Sequence, residues 1–176
     1  MALERARHGN AKAVQSSRLE LIGGCRNAGD EARVQTLTQL AEDLGVSRQV
    51  AFRLNVTRTE LKEALGRAAA GLHTMYEEHF GIGVVEYMAA GCIPLANNSG
   101  GPAADIVKVG ENAQCTGYLA STVDEYASAI VNVLSIAASD REKMAAGARK
   151  AAAAFSDEAF EAAFLSALSK LLDEVA

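Results

Sequence analysis

No uncharged apolar run in this 176-residue chain approaches the ~20 residues that a membrane-spanning helix needs. Residues 1–15 hold Arg5, Arg7 and Lys12 but no apolar block behind them, so no secretory signal is expected and the chain reads as soluble. Neither terminus carries a charge block. The balance is 17 basic against 22 acidic residues, with no basic stripe of the kind a nucleic-acid binder shows, so no nucleic-acid partner is expected. Cysteine is scarce and odd in number. Cys25, Cys92 and Cys115 lie far apart without a C-x-x-C pair, which excludes a disulfide framework and a zinc clasp and fits a reducing compartment. Asn55-Val-Thr57 and Asn97-Asn-Ser99 match the glycosylation triplet, which matters only in the secretory lumen and arises often by chance.

What remains is globular: 49% hydrophobic and 22% charged, enough for a single domain over residues 1–176 with its own core. Short apolar strands alternate with amphipathic helices. Leu19–Ile22 runs into Gly23-Gly24 as a first strand, and Val34, Leu37, Leu40, Ala41 and Leu44 then recur at helical spacing up to Gly45. Residues 50–54 form a second strand. Thr57 with Glu60 is a capping box opening a helix to about Ala69, before a third strand over 70–74. Residues 75–80 read as a loop, 83–90 as a helix and 93–96 as a strand with Pro94 near its start. Ser99–Pro102 is a turn into a short helix through Val107, and 117–119 is a weak fifth strand. The remainder is helical. Thr122 with Glu125 and Ser139 with Glu142 repeat the capping-box pattern, and the Ala-rich run 145–154 reads as a surface helix. A last helix from about Asp157 places Phe160, Phe164, Leu168 and Leu171 on one stripe. The alternation predicts an α/β, three-layer, Rossmann-like domain whose mostly parallel sheet is covered by helices on both faces. Ligands in such sheets bind at the carboxyl ends of the strands.

One segment stands apart: Glu78-His-Phe-Gly-Ile-Gly-Val-Val-Glu86. Gly81 and Gly83 let backbone approach a ligand closely, and their N–H groups fall at a helix N-terminus, where the helix dipole favours phosphate. Glu86 lies one helical turn further on, where its carboxylate can accept from two vicinal hydroxyls such as a ribose offers. Glu78 precedes the glycines and can face the group beyond the phosphates. A phosphate flanked by two hydroxyl-binding carboxylates describes a nucleotide sugar. Alternatives stand beside this reading: both glutamates as solvated charges around a glycine turn, or a dinucleotide fingerprint with Asp105 as the ribose acid, although Glu86 occupies the third glycine position of that motif. In the second cluster, Asn97-Asn-Ser-Gly-Gly-Pro102, Gly100 and Gly101 either offer N–H groups to an anion or simply shape a turn. His73 and His79 can each donate to a phosphate or sugar oxygen, or pack as ordinary histidines.

At these residues the chain resembles the carboxyl-terminal half of a retaining GT-B glycosyltransferase, whose signature is the Glu78-x7-Glu86 spacing. Leu21-Ile-Gly-Gly-Cys-Arg-Asn27, Ala41–Val46, Gly71–Met75, Met88–Gly91, Asn98–Pro102 and Asp105–Val107 extend the likeness over about residues 19–172. Within that superfamily the phrases are most like the mannosyltransferases that extend a dolichol-linked oligosaccharide from GDP-mannose on the cytosolic face of the endoplasmic reticulum. The resemblance implies a donor site in which Glu78 is the catalytic contact to the donor sugar. Gly81, with Ile82, Gly83, His79 and Phe80 around it, would bind the diphosphate, and Glu86 the ribose. From the residues themselves, His73, Gly100 and Gly101 are candidates for further phosphate or sugar contacts. The resemblance implies no metal and no cofactor, a nucleotide sugar as one partner and a lipid-linked oligosaccharide as the other. It also implies that the first strand of the GT-B half, the Arg…Lys pair that neutralises the diphosphate and the acceptor-binding domain fall outside this sequence, ahead of a helix over residues 2–14. The expectation is donor recognition without turnover. A nucleotide-sugar epimerase half-domain, or a non-catalytic interaction module that self-associates through exposed apolar surface, are the competing readings.

Overall fold

The computed structural model describes residues 12–110 and 115–175; the expected helix over 2–14 lies largely outside them. The elements run α1 (Lys12–Ser16), β1 (Leu19–Gly23), α2 (Ala28–Asp43), β2 (Val50–Leu54), α3 (Arg58–Arg67), β3 (Ala70–His73), α4 (Ile82–Ala90), β4 (Ile93–Asn97), a π turn (Pro102–Ile106), β5 (Tyr118–Ala120), α5 (Val123–Ser135), α6 (Ala138–Ala152) and α7 (Asp157–Val175). The expected short helix through Val107 is thus a π turn ending one residue earlier.

All strand pairs are parallel, in two groups. β1 pairs with β2 from Leu19↔Val50 to Gly23↔Leu54. β3, β4 and β5 form a second sheet with β4 at its centre. Every residue of β4 is buried. Ile93 and Leu95 pack one way, against Ala127, Ile130 and Val133 of α5 and Val14 of α1. Ala96 packs the other way, with Val84 and Met88 of α4 and Ala148 and Ala152 of α6. Alternation along a strand sends successive side chains to opposite faces, so this half has helices on both sides.

The capping boxes at Thr57/Glu60 and Thr122/Glu125 form with both reciprocal hydrogen bonds. The pattern at Ser139/Glu142 does not: α6 starts at Ala138, with Ala137 as N-cap and no side-chain cap. The Ala137 carbonyl accepts from the Asp140 and Arg141 N–H groups, which draws Ser139 inside the first turn. The Ala-rich run is a surface helix as expected, with Ala146, Arg149 and Lys150 exposed and one buried stripe. Ala145, Ala148 and Ala152 are buried, because side chains this small let α6 lie close on α4. At Gly91, which ends α4 with φ 85°, a Cβ would strike the Arg149 guanidinium of α6. The stripe on α7 forms as expected but is uncovered: Phe160, Phe164, Leu168 and Leu171 are all exposed, with Phe160 and Phe164 stacked at 6.0 Å.

Candidate active site at the carboxyl ends of β3 and β4

The segment between β3 and α4 returns the chain from the sheet to the helix, and its shape is set from the neighbouring strand end. Ser99, just past β4, donates its hydroxyl to Asn97 Oδ1 at 2.7 Å and accepts the Glu77 N–H at 2.8 Å. The Gly101 N–H donates to the Glu78 carbonyl at 2.8 Å. A Cβ on Gly100 would collide with the Glu78 carbonyl, and one on Gly101 with the backbone of His79 and Phe80. Both glycines are therefore needed for this close backbone approach. Glu77 itself sits in the left-handed region, at φ 52°.

Gly81, at φ 102°, then turns the chain into α4 as its N-cap, and no side chain caps that end. The first N–H groups of a helix have no partner within it, so this end presents donors and a positive dipole end. Gly83 lies beside His73: a Cβ placed there would sit 4.0 Å from the imidazole Cδ2. His73 Nε2 is 3.6 Å from Glu78 Oε2, with both side chains largely shielded. The other ring nitrogen, Nδ1, is buried without a hydrogen-bond partner. The His73 carbonyl accepts from the Tyr126 hydroxyl at 3.0 Å, which ties β3 to α5. Burial holds that hydroxyl's pKa above its ordinary value, with the Asn97 side chain opposing the rise.

The structure thus brings His73, Glu78, Gly81 and Gly83 together. Glu86 is exposed on α4, and Ile82 and His79 are exposed at the helix entrance. Phe80 stands apart, its ring edge-on to Phe155 at 5.4 Å. Gly101 has its N–H engaged by Glu78, and Gly100 contributes the close backbone approach described above. Asp105 is exposed on the π turn. Sequence reasoning missed Ser99, Asn97 and Tyr126 as positioning residues. The Asn97-Asn-Ser99 string was the available signal, and it reads only as a turn. Asn97 is buried, and Asn55 exchanges hydrogen bonds with the Cys25 backbone at 2.8 and 3.0 Å, so both glycosylation triplets have structural work. Among the described residues no group of three His, Cys, Asp or Glu side chains could hold a metal ion, and no helix is long and apolar enough to cross a membrane.

A half-buried carboxylate beside an imidazole, next to an uncapped helix N-terminus, is an arrangement for grasping hydroxyls and an anion together. Alr3699/HepE from Anabaena, solved with UDP and glucose, superposes with a TM-score of 0.77 at 21% identity, over 96% of this chain and 44% of that one. Sucrose-phosphate synthase from Thermosynechococcus elongatus gives 0.72 at 20% identity, over 99% and 42%. The architecture is that of one half of a GT-B glycosyltransferase. The chain belongs to the family of glycosyl transferases group 1, which matches residues 3–151. Its curated relatives include the GDP-Man:Man(3)GlcNAc(2)-PP-Dol alpha-1,2-mannosyltransferases of Homo sapiens, 51% identical over 92% of this chain, and of Dictyostelium discoideum, 42% identical over 90%. The chain spans about a third of the length of these relatives.

Proposed function

We propose that the chain is the donor-binding unit of an α-1,2-mannosyltransferase that uses GDP-mannose to extend a dolichol-linked oligosaccharide on the cytosolic side of the endoplasmic reticulum. The observation that carries this reading is the pairing of Glu78 with His73 beside the uncapped N-terminus of α4, in a chain about half identical to enzymes of that name. In this reading the α4 N-terminus holds the diphosphate, Glu86 accepts from the ribose hydroxyls and Glu78 from the hydroxyls of the mannose. The acceptor hydroxyl forms its bond to the anomeric carbon on the face from which the diphosphate leaves, and its proton passes to the departing phosphate oxygen. The protein's contribution is orientation and stabilisation of the leaving group's charge; no metal is invoked. The acceptor surface and the closing of the cleft belong to the remainder of a full-length enzyme, so the chain alone binds donor without turning it over.

Calorimetric titration with GDP, GDP-mannose, UDP and UDP-glucose tests this. Guanine-selective binding is expected, weakened in Glu86→Ala by about 1–3 kcal/mol, the cost of stranding hydrogen-bond partners. Equal affinity of the wild type and Glu86→Ala for GDP, or no preference for guanine, overturns it.

A further inference from the structure

One run of polar contacts joins the backbone beneath His73 to the backbone beneath Glu78. The Tyr126 hydroxyl of α5 donates to the His73 carbonyl at 3.0 Å and so fixes the end of β3. The Asn97 side chain, at the end of β4, bonds to that hydroxyl and accepts from the Ser99 hydroxyl at 2.7 Å. Ser99 in turn accepts the N–H of Glu77, the residue next to Glu78, at 2.8 Å. The stations that carry the imidazole and the carboxylate are thus held by the same side chains of Tyr126, Asn97 and Ser99. Their side chains meet because both backbones are fixed from one place.

The two ring nitrogens of His73 have different surroundings. Nδ1 is buried with no hydrogen-bond partner, whereas Nε2 lies 3.6 Å from Glu78 Oε2. A neutral imidazole carries one N–H and one bare nitrogen. A proton on Nδ1 would be stranded, and the Nε2 lone pair would then point at a negative oxygen. A proton on Nε2 faces that oxygen instead, and only a lone pair is left without a partner. The surroundings therefore select the Nε2–H tautomer. At 3.6 Å the contact is longer than a formed hydrogen bond. Such contacts are often long in a ligand-free site and tighten when the ligand arrives. With Oε2 toward the ring, the other carboxylate oxygen is left for incoming hydroxyls.

We propose that His73 is a positioning residue and not a contact to the donor: as the Nε2–H tautomer it holds one oxygen of Glu78 and turns the other to the hydroxyls of the donor's sugar. This rests on the donor-binding reading given above and deepens it. His73 then acts on the affinity for the sugar and not on that for the nucleotide, and it acts only through Glu78.

Calorimetric titration compares the wild type with His73→Asn, whose amide N–H falls at the place of Nδ1, and with His73→Gln, whose amide N–H falls at the place of Nε2. GDP-mannose is expected to bind about tenfold more weakly to His73→Asn and within about threefold of the wild type to His73→Gln. GDP alone should bind all three alike, which also reports that they are folded. In a Glu78→Ala background His73→Asn should have no further effect, since a residue acting through Glu78 has nothing left to act on. An equal loss in both backgrounds, as a direct contact gives, overturns the proposal, and so does unchanged GDP-mannose affinity in His73→Asn. The ligand-free protein distinguishes this failure from that of the donor reading. NMR of the ring nitrogens at about pH 8, above the ordinary imidazole range, should show His73 with a bare Nδ1 and a protonated Nε2, whose signal moves in Glu78→Ala. The opposite tautomer overturns the proposal whether or not a nucleotide binds. A wild type with the expected tautomer that binds GDP and GDP-mannose alike overturns the donor reading and supports the hold of His73 on Glu78.

Discussion

In β4 all five residues are buried, whereas neither β1 nor β2 holds a buried residue. The helices follow the same division. α5 contributes Tyr126, Ala127, Ala129, Ile130 and Val133 to the interior, while α2, longer by three residues, contributes only Ala41 and leaves Leu37 and Leu40 exposed. The β1–β2 group is held by its ladder, by polar contacts such as Arg53–Glu20 at 3.2 Å and by caps. Partly exposed ion pairs of that kind contribute about 1 kcal/mol or less, against several for a fully packed side chain. Two regions made from the same strand–helix unit are therefore expected to differ in local stability. The unit does not carry stability by itself; coverage of both sheet faces does. The candidate site stands on the well-covered side, at the ends of β3 and β4, as preorganised binding requires.

The largest effect expected from breaking this contrast is at Met88, fully buried between α4 and α6. Met88→Ala should cost about 2–5 kcal/mol in a denaturant titration, whereas Leu21→Ala on β1 should cost about 1 kcal/mol. Comparable losses at the two positions would erase the distinction. Next comes Gly101→Val, which has no room against the His79 and Phe80 backbone. It should weaken GDP binding at least tenfold, about 1.4 kcal/mol, while β4 amides remain protected. Smaller effects should come from the two intact capping boxes, at about 1 kcal/mol each for Thr57→Ala and Thr122→Ala. Exchange measurements sharpen the comparison here: the first should loosen only the β1–β2 group, the second the whole molecule. The mildest concerns acid. Bonds from the Arg26 backbone and side chain lower the Asp30 pKa, and bonds from Thr57 lower that of Glu60. A lowered folded pKa means stability that is complete above the ordinary carboxylate range and lost as pH falls through the folded value. Amide protection factors, taken relative to the intrinsic exchange rate at each pH, should therefore fall at the starts of α2 and α3 between pH 6 and pH 3 before they fall in β4. Simultaneous loss would mean that the two groups unfold as one.

These contrasts also mark what could be read from sequence. Strands 19–23, 50–54 and 93–97 are bounded by glycine, asparagine or proline and filled with branched apolar residues, so local chemistry names them within a residue or two. Glu78 and Glu86 could be singled out because their interval is a single loop and helix start. Coverage was not legible. The α7 stripe and the Ala145–Ala152 run both have a face, but periodicity does not say what lies against it; the first is bare and the second is buried. Ser139 failed as a cap because the choice between it and Ala137 rests on where the preceding backbone is directed, which a four-residue pattern does not contain. Ser99 was invisible for a stronger reason, since its partner Glu77 is 22 residues away on the other side of a helix and a strand.

The left-handed backbone at Glu77 has a consequence for heredity. A non-glycine residue in that region costs roughly 1–3 kcal/mol unless its surroundings hold it there, and the Ser99 hydroxyl is the hold. The direction of the next side chain, Glu78, is thus written partly in a codon on a different strand end. On the proposed function, alleles altering Ser99 are expected to weaken GDP-mannose binding through the displaced Glu78, read by titration of Ser99→Ala against the wild type. Suppressors should be sought at Glu77 itself, where glycine would accept the same turn without the serine.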